Sequence, residues 1–341
     1  MMAKTYNVAV VGTGSLVGEA ILDLLAKRKF PIGKIYALEF ATDGEQYVDF
    51  GNKTLDIESV EDFDFSSVQL ALFASTETVA ADYVPKAVAA GCLVIDDSAC
   101  FRFDADVPLV VPEVNPAAIA GYKQRGIIAN PGSMVSQMLV ALKPLHDAAD
   151  ITRINVATYQ AVSGTGRAGI NELAHQTAQL LNARPVEPEL YAKQIAFNLF
   201  PHIGAFQENG YTWEEMKMVQ ETRKIMGLPE LGVNPTAVRV PVFFGHAAAI
   251  HIETQRKLTA AEATALLSQA AGVEVLDERQ DGGYPTPVTE AVNSDVVYVS
   301  RIREDISCTS GLDLWVVADN VRKGAALNSV QIAEILVRDY I

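Results

Sequence analysis

Thiols are scarce in this chain: its 341 residues include only Cys92, Cys100 and Cys308. With no CxxC spacing among them, a disulfide-stapled scaffold and a cysteine-rich zinc site are excluded, and no metal is expected. Basic residues are also outnumbered, 27 Lys and Arg against 42 Asp and Glu, for a formal net charge of −15. No basic run of nucleic-acid or membrane-surface type occurs, so neither is expected as a partner. An anionic ligand would have to be held by a few local Arg and Lys residues against an unfavourable overall field. No apolar run reaches the roughly 20 residues a membrane-spanning helix needs. The opening "MMAKTYNVAVVG" enters a strand without a signal-peptide pattern, so a cytoplasmic protein is expected. Internal repeats and low-complexity tracts are absent.

The chain is long and apolar, at 49% hydrophobic residues, enough to fill two cores. "YNVAVVGTGSLVGEAILDLLAKRKF" reads as a buried strand, a glycine turn and a helix with Ala20, Ile21, Leu24 and Leu25 at helical spacing. Strand-like runs in "KIYALEF", "VQLALFAS", "GCLVIDDSA", "VPLVVPEVN" and "GIIANP" alternate with segments such as "ADYVPKAVAA". That alternation predicts an α/β, Rossmann-like, doubly wound parallel sheet. From "ITRINVATYQAVSG" onward the strands lengthen and become β-branched, as an antiparallel or mixed sheet in a second, α+β domain. The last segment reads as a helix with Leu327, Val330, Ile332, Ile335 and Leu336 mostly three or four apart, placed to return to the first domain. The expected division is 1–131 plus 322–341 for the first domain and 132–321 for the second.

In "VVGTGSLVG" the glycines are Gly12, Gly14 and Gly18, a GxGxxxG spacing. A glycine turn between strand and helix lets backbone N–H groups approach a pyrophosphate. Glu39 ends the next strand 21 residues after Gly18, where a carboxylate would bond the ribose 2′-OH of NAD. The competing interpretation keeps the glycines for packing alone.

Six collinear blocks resemble the aspartate-β-semialdehyde dehydrogenases: "VIDDSACFRFDADVPLVVPEVNP", "ANPGSMVSQMLVALKPL", "ATYQAVSGTGRAGINEL", "TWEEMKMVQETRKI", "VRVPVFFGHAAAIHIE" and "DNVRKGAALNSVQIAE". The resemblance implies a homodimer or tetramer with a catalytic, dimerising second domain. It further implies reduction of aspartyl phosphate through a cysteine thioester with hydride from NADPH. It assigns His246 as the acid/base, Arg239 as the fork on a substrate carboxylate and Gln160 as the residue that orients the acyl group. Glu214 and Lys217 would bind the amino group and phosphate, with Arg102 as a second phosphate contact. Ser15 and Gln331 join Gly12, Gly14, Gly18 and Glu39 on the cofactor side.

Departures cluster at the chemistry. Where the family reads Asn-Cys-Ser, this chain reads Gly132-Ser133-Met134, so the thiol position holds a hydroxyl. The family's grip on the NADP 2′-phosphate is matched by "ALEFATDGE", with Leu38, Glu39, Phe40, Asp43 and Glu45. Thr76 and Glu77 stand where small glycines are expected, and Asp97 where the family has Asn. These features favour NAD or no dinucleotide and disfavour NADP. They predict a catalytically impaired relative that keeps its fold to hold a small amino-dicarboxylate or to pair subunits. Two alternatives stand beside it: an active NAD-linked semialdehyde dehydrogenase of altered substrate, and a Ser133/His246 acyl hydrolase.

Overall fold

The computed structural model describes residues 4–40 and 46–341; Asp43 and Glu45 lie outside the described residues. The chain forms two compact units, 1–132 with 325–341 and 133–324. Among the described residues no helix is long and apolar enough to cross a membrane.

In the first unit, β1 (Tyr6–Val11) enters α1 (Leu16–Lys27), followed by β2 (Ile32–Glu39). A hairpin of β3 (Tyr47–Phe50) and β4 (Lys53–Ser59) comes next, then β5 (Leu70–Phe73), α2 (Glu77–Ala89), β6 (Leu93–Asp96) and β7 (Ile127–Ala129). The sheet order is β3-β4-β2-β1-β5-β6-β7, all parallel except the β3/β4 pair. Strand order reverses around β1, and this switch point places the glycine turn at the carboxyl ends of the strands. The hairpin escapes sequence reading because its strands alternate between exposed and half-buried positions and bring little continuous apolar signal.

"VPLVVPEVN" is not a strand. Pro108 and Pro112 interrupt it, and only Leu109 makes an isolated bridge, to Ala129, although Val110 and Val111 are fully buried. The core packs Val8 and Val10 of β1 against Ile21, Leu24 and Leu25 of α1. The C-terminal helix closes the same core with Leu327, Val330, Ile332 and Leu336.

The second unit starts at α3 (Ser133–Ala149) and β8 (Ile151–Gln160), then α4 (Gly166–Leu181), α5 (Trp213–Met226), β9 (Gly232–Arg239) and β10 (His246–Thr254). It continues through α6 (Ala260–Leu267), β11 (Val273–Val275), β12 (Val297–Glu304) and β13 (Gly311–Ala318); α7 (Leu327–Asp339) belongs to the first unit. Its sheet runs β11-β12-β13-β10-β8-β9 and is mixed: β8/β9 and β11/β12 are parallel, the other pairs antiparallel.

Candidate active site

Strand register builds the second unit's site. Parallel pairing sets Gln160, the last residue of β8, beside Arg239, the last of β9. Antiparallel pairing puts Ala247 across from Tyr159, so His246 opens β10 at that same end. All three side chains are buried. Beside them, α5 starts with a capping box in which Thr212 and Glu215 satisfy each other's backbone N–H groups. Glu215 also accepts the Ala237 N–H at 2.9 Å, tying the helix to β9. Glu214 and Lys217, three residues apart, then meet in an ion pair of 2.9 Å. Glu214 also accepts from Gln160 Nε2 at 3.2 Å.

Arg239 donates one N–H to the Ala161 carbonyl at 2.5 Å, leaving the rest of a five-donor fork for other acceptors. Ala161 in turn donates its N–H to His246 Nδ1 at 3.1 Å. That bond fixes the tautomer, because an Nδ1 that accepts leaves the ring proton on Nε2. Burial, reinforced by the Arg239 charge, pushes His246 down to about 3. The ring is therefore neutral at ordinary pH and presents an N–H donor.

Several supporting residues gave no recognisable signal of their own. A Cβ built on Gly164 would lie 3.0 Å from Arg239 Nη1 and 3.3 Å from His246 Nε2, so only glycine leaves those groups undisturbed. Asn320 Oδ1 accepts from Ser163 Oγ at 3.1 Å and from the Gly245 N–H at 3.0 Å, fixing the segments on both sides of the site. Gln137, one turn after Ser133 on α3, donates to the His246 carbonyl at 3.3 Å. A pocket of about 880 Å³ is lined by Gly164, Glu214, Lys217 and Arg239 together with a set of apolar and aromatic side chains.

Ser133 is the first residue of α3, where helix N–H groups and the dipole favour negative charge. Gly324 packs on it so closely that an added Cβ would stand 2.6 Å from Ser133 Cβ. Among the thiols, burial pushes Cys92 up to about 12, and burial with Asp96 and Glu77 nearby raises Cys100. Cys308 lies between β12 and β13.

In the first unit, Ser15 caps α1. Its Oγ accepts the Gly18 N–H at 2.9 Å and donates toward Gly12 O (2.8 Å) and Ala74 O (3.1 Å). A Cβ on Gly18 would fall 2.1 Å from Gly12 O, and one on Gly12 2.5 Å from Ala74 O, so packing alone already demands both glycines. Glu39 turns its carboxylate to the Gly14 N–H at 2.8 Å and to Phe40 N–H at 3.0 Å. This holds a negative charge against the turn. Thr76 caps α2 and Glu77 opens it, while Leu38 is buried in the sheet and unable to face a ligand. Arg102 donates to the Asp97 carbonyl at 2.7 Å, and Asn130 donates to the Asp97 carboxylate. Gln331 of α7 donates to Glu113 at 3.1 Å.

Residues 7–122 match the family profile "Semialdehyde dehydrogenase, NAD binding domain", and residues 142–323 match "Semialdehyde dehydrogenase, dimerisation domain". The chain is 53% identical to an aspartate-semialdehyde dehydrogenase of Shewanella sp. (strain DB6705), over 99% of this chain and 100% of that one. The chain belongs to the aspartate-semialdehyde dehydrogenase family. A Legionella pneumophila aspartate-semialdehyde dehydrogenase is also 53% identical, across 100% of this chain and 98% of its own. Crystal structures of aspartate semialdehyde dehydrogenase II from Vibrio cholerae, one of them complexed with ASA, superpose with a TM-score of 0.97. Each has 51% identity and covers 99% of this chain and 100% of the other. Family membership thus accounts for the two-unit architecture, with its NAD-binding and dimerisation domains in the expected order.

Proposed function

We propose that this protein keeps the family's pocket for an aspartate-derived amino-dicarboxylate and has lost the thioester step that makes the family dehydrogenases. The observation that carries the proposal is the residue at the head of α3: a hydroxyl at Ser133, with Cys92 pushed up to about 12 and Cys100 raised from its ordinary value. A thiol ionises readily near neutral pH, whereas a serine must surrender its proton to a base during attack. His246 does not offer that base, since its Nδ1 takes the Ala161 N–H and its Nε2 bears the proton. The same geometry argues against an acyl hydrolase built on Ser133 and His246.

What the pocket residues can still do is bind. Arg239 forks onto a carboxylate, Lys217 adds a second positive charge, Gln160 orients a carbonyl, and His246 donates from Nε2 to a developing or ground-state oxygen. Gly12, Gly14, Ser15, Gly18 and Gln331 would cradle a dinucleotide, with Glu39 selecting NAD over NADP. When bound, that cofactor supplies a hydride acceptor. The dimerisation-domain match supports pairing of two copies.

Full-length identity to curated dehydrogenases favours a second reading, an active NAD-linked semialdehyde dehydrogenase. The deciding experiment is phosphate-dependent oxidation of L-aspartate-β-semialdehyde by protein purified from a host lacking its own enzyme, with NAD and NADP in separate runs. A flat trace with both, alongside calorimetric binding of L-aspartate, is the expected result. Turnover that vanishes in His246→Ala would replace the first reading by the second.

A further inference from the structure

Residues 182–212 join α4 to α5 with no helix or strand of their own, a length that in a compact domain usually belongs to a functional segment. Part of this connection walls the pocket: Leu190, Tyr191, Ala192 and Lys193 lie along it, with Gly164 and Arg239. With no ladder to fix it, the segment's position depends on where its backbone N–H groups go.

Two side chains of α4 receive them. Gln176 is buried, and its Oε1 accepts from the Ile195 N–H at 2.9 Å and the Ala196 N–H at 3.2 Å. Its Nε2 donates at 2.7 Å to Oε1 of Glu172, also buried and one helical turn back. That same oxygen accepts the Glu189 N–H at 3.0 Å. The pairing with Glu172 fixes which end of the Gln176 amide faces the segment. Residues 190–194 are thus held between two anchors on one helix. Beyond them, Phe200 exchanges both main-chain hydrogen bonds with Arg239, at 3.1 and 2.9 Å, so the segment runs directly onto the strand end that carries the guanidinium.

The anchored stretch brings two polar side chains to the pocket. Tyr191 donates to Thr165 Oγ1 at 3.0 Å, and its ring packs on Phe200 with centroids 5.6 Å apart. The fit to α4 is close: a Cβ on Gly169 would stand 2.7 Å from the Tyr191 hydroxyl. Burial lowers the pKa of Arg239, and Tyr191 is the largest influence opposing it, which sets the phenol within electrostatic reach of the guanidinium. Lys193 joins Lys217 and Arg239 as a third cation of the lining, suited to a ligand carboxylate.

We propose that Glu172 and Gln176 are positioning residues of this pocket: by holding the main chain of Glu189, Ile195 and Ala196 they set Tyr191 and Lys193 where, with Arg239, they meet a carboxylate of the ligand. Neither Glu172 nor Gln176 lines the pocket itself. The proposal rests on reading the pocket as an amino-dicarboxylate site.

The test titrates L-aspartate calorimetrically into the wild-type chain, Gln176→Leu, Glu172→Gln, the Tyr191→Phe/Lys193→Ala pair, and that pair combined with Gln176→Leu. Gln176→Leu keeps much of the bulk and removes the acceptor of both N–H groups. It is expected to weaken binding at least about tenfold and to speed hydrogen exchange across residues 189–196 at least about tenfold. Glu172→Gln keeps an oxygen acceptor, so binding within about threefold of wild type is expected. The Tyr191→Phe/Lys193→Ala pair should lose about as much as Gln176→Leu. Adding Gln176→Leu to it should cost less than about threefold more, because the groups it positions are gone. Fully additive losses, or wild-type affinity in Gln176→Leu, would overturn the proposal and leave the clamp a general support of the fold. A loss in Glu172→Gln as large as in Gln176→Leu would overturn the role given to Glu172. Wild-type affinity in the Tyr191→Phe/Lys193→Ala pair would also overturn the proposal, and this arm stands even if Gln176→Leu does not fold, since Lys193 is exposed and Phe keeps the ring. No binding of L-aspartate by the wild type would instead remove the amino-dicarboxylate reading, and this proposal with it.

Discussion

Restoring a thiol by Ser133→Cys is expected to switch on semialdehyde oxidation, and the size of the gain follows from the head of α3. An ordinary cysteine, with a pKa of about 8.5, is a few per cent thiolate at pH 7. As first residue of a 17-residue helix, it gains from the N-terminal dipole. A one-unit fall is worth about 1.4 kcal/mol and would bring the thiolate to about a quarter of molecules. Serine has no such reservoir and depends on base assistance, typically worth about 10²–10⁴ in rate. His246, neutral with its proton on Nε2, withholds that help. The expected rise in kcat is therefore on the order of 10²–10⁴, with KM changed by less than about threefold, because Arg239, Gln160, Glu214 and Lys217 are untouched.

Sterically the exchange is mild. The tight contact with Gly324 is made through Cβ, which both residues possess. The assay follows reduced nicotinamide under phosphate, with wild type, Ser133→Cys and the double variant carrying His246→Ala measured together. A wild type already within about tenfold of Ser133→Cys would refute the argument that a thiolate is the missing element. Silence from Ser133→Cys, with semialdehyde and NAD both shown to bind by calorimetry, would refute the narrower claim that Ser133 is the principal defect.

How much of this the sequence disclosed depended on where the information is stored. The strand-turn-helix opening was legible because Val8, Val10, Ile21, Leu24 and Leu25 are apolar for one reason, burial in a common core. Periodicity reports burial directly. Gln160, Arg239 and His246 could be singled out only through the family pattern, because what unites them is strand register at one end of a mixed sheet, and register has no local signature. Gly164 and Asn320 were invisible for a related reason: each acts through a contact made across long sequence separation. The β3/β4 hairpin leaves little trace in the sequence because edge strands bury little, and "VPLVVPEVN" imitates a strand because Val110 and Val111 are buried without a ladder. The tautomer of His246 is set by the Ala161 N–H, a main-chain group that no side-chain pattern encodes, and its neutral state by burial beside Arg239.

Three further outcomes are expected. Glu39→Gln removes the charge facing the Gly14 N–H, and the NADP-to-NAD affinity ratio should rise about tenfold in fluorescence titrations; an unchanged ratio would show that Glu39 does not select the cofactor. Gly164→Ala brings a Cβ to 3.0 Å from Arg239 Nη1 and 3.3 Å from His246 Nε2. It should weaken L-aspartate binding by at least about tenfold while Tm moves by less than about 4 °C, since the displaced atoms are side-chain ends. The last concerns acid stability. His246 is pushed from its usual 6.5 to about 3 by burial and by Arg239, so between those values the unfolded chain holds a proton that the folded chain refuses. Stability from this group is complete above the usual value and is lost as pH falls through the window, at about 1.4 kcal/mol per pH unit. His246→Gln abolishes that contribution, whereas the carboxylates titrate alike in both proteins. Urea unfolding at pH 7 and pH 4.5 should therefore cost the wild type about 2–3 kcal/mol more than the variant on acidification. Equal losses would mean that the imidazole is protonated in the folded protein. In that case the Ala161 N–H could not be bonded to Nδ1, and the argument that His246 is a donor rather than a base would fail with it.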